Sequence, residues 1–145
     1  MNKKGKVIEI NISDKKGIVK TPIAKGNFIE NFGLEGDAHA GKWHRQVSLL
    51  GIESFKKMEE QGLKLKHGDF AENITTEGII LYELPIGTRL KIGDTIQEVT
   101  QIGKKCHIGC AIAQTVGKCI MPTEGIFTKV IKGGVVKAGD TIEVL

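Results

Sequence analysis

The sequence predicts a mostly β protein: a closed or partly closed β-barrel of about eight short strands with one or two short helices. Three observations carry this. Apolar residues follow a helical spacing almost nowhere, and short runs rich in Val, Ile and Thr dominate instead. Gly-Asp, Gly-Gly and Pro-Ile-Gly punctuate those runs, in a chain with 19 glycines among 145 residues and only three prolines. An average usage of about 7% would supply roughly half as many glycines, so tight turns must be frequent. Closure suits so many short strands better than an open sheet, because it removes exposed edges.

Each element is bounded by turn residues. Segment 6–12 stops at Ser13-Asp14, 17–21 ends at Pro22, 46–50 ends at Gly51, and 72–76 ends shortly before Gly78. Segments 89–92 and 95–102 flank Gly93-Asp94 and lie between Pro85-Ile86-Gly87 and Gly103. Segment 126–131 runs from Gly125 towards Gly133-Gly134, and 141–145 follows Gly139-Asp140. One stretch has helical spacing, 51–61: Ile52, Phe55 and Met58/Glu59 recur on one side, Lys56, Lys57, Glu60 and Gln61 stay polar, and Gly62 supplies the stop. A second, shorter helix is expected over 110–116. Residues 91–96 and 137–142 match at five of six positions around a Gly-Asp pair, which reads as two copies of one turn between paired strands. No linker interrupts the pattern, so residues 1–145 read as a single domain.

Composition narrows the function classes. Lys plus Arg number 21 against 17 Asp plus Glu, and the resulting charge of +4 is scattered rather than blocked. With five Phe, one Trp and one Tyr there is no aromatic platform either, so no nucleic acid is expected as a partner. The basic start Met1-Asn2-Lys3-Lys4 leads into an apolar stretch broken at Glu9, Asn11, Ser13 and Asp14, which is not the pattern of a signal peptide. No apolar run approaches the roughly 18 residues of a membrane span. Three cysteines, an odd number, argue against a disulfide framework. These features predict a reduced, soluble, cytoplasmic protein with no membrane association.

Residues with chemical potential gather in three places. The first is 33–48, where Gly36 and Gly41 flank Asp37 and His39 before His44-Arg45-Gln46. Arg45 suits a phosphate or carboxylate through two parallel hydrogen bonds, and His39 or His44 can donate, accept or bind a metal. The plainer alternative is an Asp37–Arg45 pair that pins the loop. The second place is 67–74, where Glu72 and Asn73 either orient a ligand or cap backbone groups. The third is Lys104-Lys105-Cys106-His107, running on to Cys110 and Cys119. Two lysines before a cysteine and a histidine after it lower the thiol pKa, so Cys106 is the candidate nucleophile, persulfide carrier or soft-metal ligand. Structural zinc is the weaker alternative, because the usual paired ligand spacing is missing. Cys110 and Cys119 also suit small buried apolar positions.

In combination and order, these segments resemble the MOSC domain, the module named for the C-terminal part of molybdenum cofactor sulfurases. The stretches that carry the resemblance are Gly36-Asp37-x-His39 leading to Arg45-Gln46-Val47, then Gly68-x-x-x-Glu72-Asn73-Ile74, then Gly87-Thr88 with Ile92-Gly93-Asp94, and Thr100-Gln101 running to Cys106. The closing Gly125-Ile126-Phe127-x-x-Val130, Gly133-Gly134 and Gly139-Asp140 are similar to small stand-alone bacterial members. The resemblance implies a pyruvate-kinase-barrel-like fold that reads molybdenum cofactor (molybdopterin) or handles its sulfur. Cys106 takes the role of catalytic cysteine and molybdenum ligand, with Cys110 as the alternative alignment. Arg45 meets the cofactor's terminal phosphate, and Asp37, His39, His44, Glu72, Asn73 and Lys105 complete the cofactor site. The implied partners are the cofactor or its precursor, with a cysteine desulfurase or a molybdoenzyme. Pyridoxal phosphate is not expected on this chain, because the chain has no room for the desulfurase domain that carries it. Two other functions are a small molybdenum-dependent reductase of N-hydroxylated compounds, with a partner supplying electrons, and a non-catalytic ligand-binding barrel.

Overall fold

The computed structural model describes residues 3–16, 18–62, 64–103 and 124–145. Its strands are β1 (Lys4–Ile12), β2 (Thr21–Ile23), β3 (Lys25–Ile29), β4 (Gly33–Leu34), β5 (Val47–Gly51), β6 (Ile74–Glu77), β7 (Arg89–Ile92), β8 (Thr95–Ile102), β9 (Ile126–Lys132), β10 (Gly134–Lys137) and β11 (Thr141–Val144). Helix α1 (Ile52–Glu59) links β5 to β6, and a 3-10 turn covers Leu81–Glu83.

Seven strands close a barrel in the order β11-β7-β8-β9-β5-β6-β1, and β1 returns to β11. Every pairing in that ring is antiparallel except β5 with β6, which run parallel because α1 carries the chain back between them. Closure is possible because β1 is long. Its Lys4–Lys6 end pairs with β11, its other edge with β6, and its Ile10–Ile12 end takes β2 as an eighth strand. A second sheet, β10-β3-β4, lies outside this ring.

Period-two alternation builds the core. In β7, Leu90 and Ile92 are buried while Arg89 and Lys91 are exposed. Val7, Ile10, Val47, Leu49, Ile74, Val99 and Ile126 join them inside the barrel. The opposite face of the β5–β9 wall is also apolar: Leu50 and Phe127 pack with Phe55 and Met58 of α1 and with Phe70. One wall thus separates the barrel core from a smaller cluster beneath α1.

The expected strand over 17–21 does not form at its described positions 18–20. Ile18 and Val19 are exposed there, and Lys20 is fully buried. The apolar pair imitates a strand, but among the described residues no strand pairs with it. Strand β3 went unpredicted because one of its inward positions is Gly26, where a Cβ would come within 2.6 Å of Leu34. The repeated turns also differ from expectation. Gly93-Asp94 closes the β7–β8 hairpin, whereas Gly139-Asp140 joins β10 to β11, which belong to different sheets. The two turns pack together: a Cβ on Gly93 would come within 2.6 Å of Asp140 Oδ2.

Candidate functional site

A buried ion pair organises the first polar segment. Gly36, at φ +86°, turns the chain so that Asp37 points inward behind β4. Lys20 Nζ lies 2.8 Å from Asp37 Oδ1, and both side chains are wholly shielded from solvent. Asp37 also accepts the backbone N–H groups of Ser13 and His39, each at 3.1 Å. Burial alone would raise the Asp37 pKa, but the hydrogen bond from Lys20 and these backbone donors outweigh it and hold the carboxyl below its ordinary value. Lys20 reaches further, to Ser13 Oγ and His39 Nδ1, both at 3.0 Å. The expected Asp37–Arg45 pin is therefore replaced by Asp37–Lys20. Nothing in the sequence singled out Lys20, because it sits beside Ile18-Val19 in a segment that reads as a strand.

Arg45 is positioned by aromatic rings. Its guanidinium carbon stands 4.6 Å from the Trp43 ring centroid and 5.7 Å from that of Phe127. Among the described residues its buried Nε has no hydrogen-bond partner and its guanidinium forms no ion pair with an acid. Lys16 Nζ approaches the same Trp43 ring at 5.5 Å, so two cations share one indole. Trp43 is fixed in turn by its Nε1–H, which donates to His39 O at 2.8 Å. His44 projects outward and meets Gln101 Oε1 through Nε2 at 2.8 Å, while its carbonyl accepts from Thr100 Oγ1. Asp37, His39, His44 and Arg45 thus form one continuous cluster with Lys20, Trp43 and Phe127. Phe127 belongs to the outer face of the β5–β9 wall, so the Arg45 end of the cluster flanks the barrel rather than filling it.

Glu72 and Asn73 are fully buried and serve the backbone. The Glu72 carboxylate accepts Gly68 N–H at 2.8 Å, Phe70 N–H at 3.2 Å and Thr75 Oγ1–H at 2.7 Å. Burial pushes its pKa up to about 7 despite these three donors. Asn73 Oδ1 accepts Ser48 N–H at 3.0 Å, and its amide donates to Asn11 O at 3.3 Å, which ties β5, β6 and β1 together. The cluster and this pair are linked through Gly68, whose carbonyl accepts Lys20 N–H at 2.9 Å.

Lys105, Cys106, Cys110 and Cys119, the zinc alternative and the second helix lie outside the described residues. The flanking positions are fixed. Gly103 N–H donates to Gly125 O at 2.6 Å, and Glu124 is held by Ser54 Oγ at 2.7 Å and by Lys57 Nζ. Gln101 and Phe127, two residues inside those ends, are the partners of His44 and Arg45. Among the described residues, no group of three or more His, Cys, Asp or Glu side chains could hold a metal ion. A cleft of about 290 Å³ opens between the two Gly-Asp turns, but it contains none of the predicted site residues. No helix among the described residues is long and apolar enough to cross a membrane.

The sequence model of the MOSC domain matches residues 35–143. Among solved structures, the YuaD protein from Bacillus subtilis superposes with a TM-score of 0.81 at 21% identity, covering 97% of this chain and 95% of that one. YiiM from Geobacillus stearothermophilus gives 0.75 at 21% identity over 97% of this chain and 75% of that one. YiiM from Escherichia coli gives 0.67 at 20% identity over 97% and 69%. No curated protein sequence matches the chain significantly.

Proposed function

The chain belongs to the MOSC domain family, and on that premise we propose that it binds the molybdenum cofactor or its precursor and handles sulfur or cofactor delivery for a molybdoenzyme. The observation that carries this is Arg45. Its guanidinium lies over two aromatic rings, and among the described residues no acceptor meets its buried Nε. Leaving a buried donor unsatisfied costs about 1–3 kcal/mol, and an anionic oxygen relieves that cost through a charge-assisted bond. The residues therefore fit the phosphate end of a pterin cofactor.

In this reading Arg45 binds and orients the phosphate, Lys16 makes its surroundings electropositive, and His44 and Lys105 are the further cofactor-binding residues. Trp43 and Phe127 hold the guanidinium in place and keep water from its faces. Asp37 and His39 form the inner wall, and Glu72 and Asn73 support that wall from behind. Cys106 supplies the thiolate, with Cys110 as the alternative, and molybdenum is a metal that accepts thiolate sulfur. When bound, the cofactor supplies the metal centre at which sulfur is received or released.

Purification from a molybdate-replete host, followed by metal analysis, pterin analysis and intact mass, tests the proposal. Wild type is expected to retain molybdenum and pterin. Arg45→Ala should retain about ten- to a hundredfold less pterin, as expected for losing a charged hydrogen bond of about 1.5–3 kcal/mol. Cys106→Ala should lose bound molybdenum or an added cysteine sulfur. Absence of both molybdenum and pterin from wild type, or unchanged retention in both Cys106→Ala and Cys110→Ala, overturns the reading.

A further inference from the structure

We propose that Lys20 is a positioning residue that fixes the His39 imidazole as its neutral, Nε2-protonated tautomer, so that His39 meets a ligand as a hydrogen-bond donor. An ammonium carries three hydrogens and no acceptor. Among the described residues, three acceptors stand around Lys20 Nζ: Asp37 Oδ1 at 2.8 Å, Ser13 Oγ at 3.0 Å and His39 Nδ1 at 3.0 Å. A donor-only group at that distance requires a lone pair on Nδ1, which leaves the ring hydrogen on Nε2. The competing arrangement, with a hydrogen on Nδ1, would need an acceptor. The nearest carboxylate oxygen, Asp37 Oδ2, is 3.9 Å away and already accepts His39 N–H at 3.1 Å. Distance thus decides for Lys20 over Asp37.

The direction of Lys20 is itself built in. Its backbone N–H donates to Gly68 O, and Gly68 approaches so closely that a Cβ there would sit 2.1 Å from Lys20 O. Gly68 is anchored in turn by its own N–H on Glu72. The buried carboxylate thereby holds the loop on which the Lys20 backbone rests. About a fifth of the His39 side chain remains exposed, so the ring is reachable from solvent. Chemically, this selects the ligand atom that His39 takes. Nδ1 is engaged by a cation and cannot ligate a metal, and Nε2 could ligate one only after giving up its hydrogen. His39 therefore suits an acceptor such as an oxyanion, a carbonyl or a thiolate, and not a cation. The inference does not depend on the cofactor assignment.

Nitrogen-15 NMR of the full chain without cofactor, read at the His39 ring near neutral pH, tests it. Wild type should show one neutral species with hydrogen on Nε2 and a lone pair on Nδ1. Among the described residues, the charged groups facing the ring are Lys20 and Asp37, with Lys16 over neighbouring Trp43. In Lys20→Met the repelling cation is gone and Asp37 is unpaired, so His39 should bind a proton at least tenfold more tightly. Lys20→Arg retains a donor and should keep the wild-type ring signature. An Nδ1-protonated ring or an imidazolium in wild type at neutral pH overturns the proposal, as does a folded Lys20→Met protein with an unchanged His39 spectrum. Should Lys20→Met fail to fold, the wild-type and Lys20→Arg spectra decide the question alone.

Discussion

Two buried carboxyl groups, Asp37 and Glu72, have their pKa values moved in opposite directions from the ordinary ones. Asp37 faces an ammonium as well as backbone donors, and its pKa lies below the unfolded value of 3.8. Its contribution to stability is present above that value and is lost as pH falls through its lower folded pKa. Glu72 receives only neutral donors, and burial raises its pKa from 4.5 to about 7. The folded state then holds a proton that the unfolded chain has already released, so stability from this group is full below about 4.5 and declines as pH rises towards 7. A shift of this size corresponds to about 3 kcal/mol. Urea denaturation of wild type and Glu72→Gln across that window should show the difference: the variant's curve is flatter between pH 4.5 and 7. A wild-type stability that rises across the same interval would contradict the assignment. At this scale the sequence was only partly informative. It named Asp37, His39, Arg45, Glu72 and Asn73, but Lys20 carries no local signal, because its acceptors Ser13, Asp37 and His39 come from two other segments.

At the scale of elements, the 66–73 loop shows how polar satisfaction sets backbone shape. To bring two N–H groups onto Glu72, the chain places Gly68 at φ +94° and Ala71 at φ +61°, the second of these unusual for a residue with a side chain. Gly68→Ala combines a disfavoured φ with a Cβ pressed onto the Lys20 carbonyl, which is backbone and cannot swing away. We expect a loss of roughly 1–3 kcal/mol, read as a lower urea midpoint, together with faster amide exchange at Lys20. Unchanged exchange at Lys20 would separate the loop from the ion pair. The same competition explains which elements were legible in advance. Strands β7 and β8 match their expected limits because alternating apolar residues run between Gly-containing turns at both ends. Helix α1 was visible because Phe55 and Met58 bury one face on Leu50 and Phe70. Strands β2, β3, β4 and β10 were not. They are two to five residues long, and their pairing is set by distant partners such as Val136 with Gly26.

For the whole molecule, closure rests on the last strand. Strand β11 pairs with β1 on one side and β7 on the other, and its Ile142 is completely buried in the barrel core. Removing residues 141–145 leaves two central strands with open edges and takes an apolar plug from the interior. The shortened chain should lose its single cooperative thermal transition in calorimetry, whereas a transition equal to that of the full chain would show that closure is not what holds the fold. The two faces of the wall also divide their tasks: the inward residues Val47, Leu49 and Ile126 hold the barrel, while outward Phe127 lies against Arg45 of the candidate site. Trp43 adds a consequence of a different kind. It is the only tryptophan in the chain, it bears Arg45 and Lys16 near its ring, and its N–H is bound to the His39 carbonyl. With excitation beyond the absorption of the single tyrosine, the emission of the entire protein therefore comes from one fluorophore at the candidate site, and a titration followed by that light, without label or chromogenic substrate, reads what happens around Arg45.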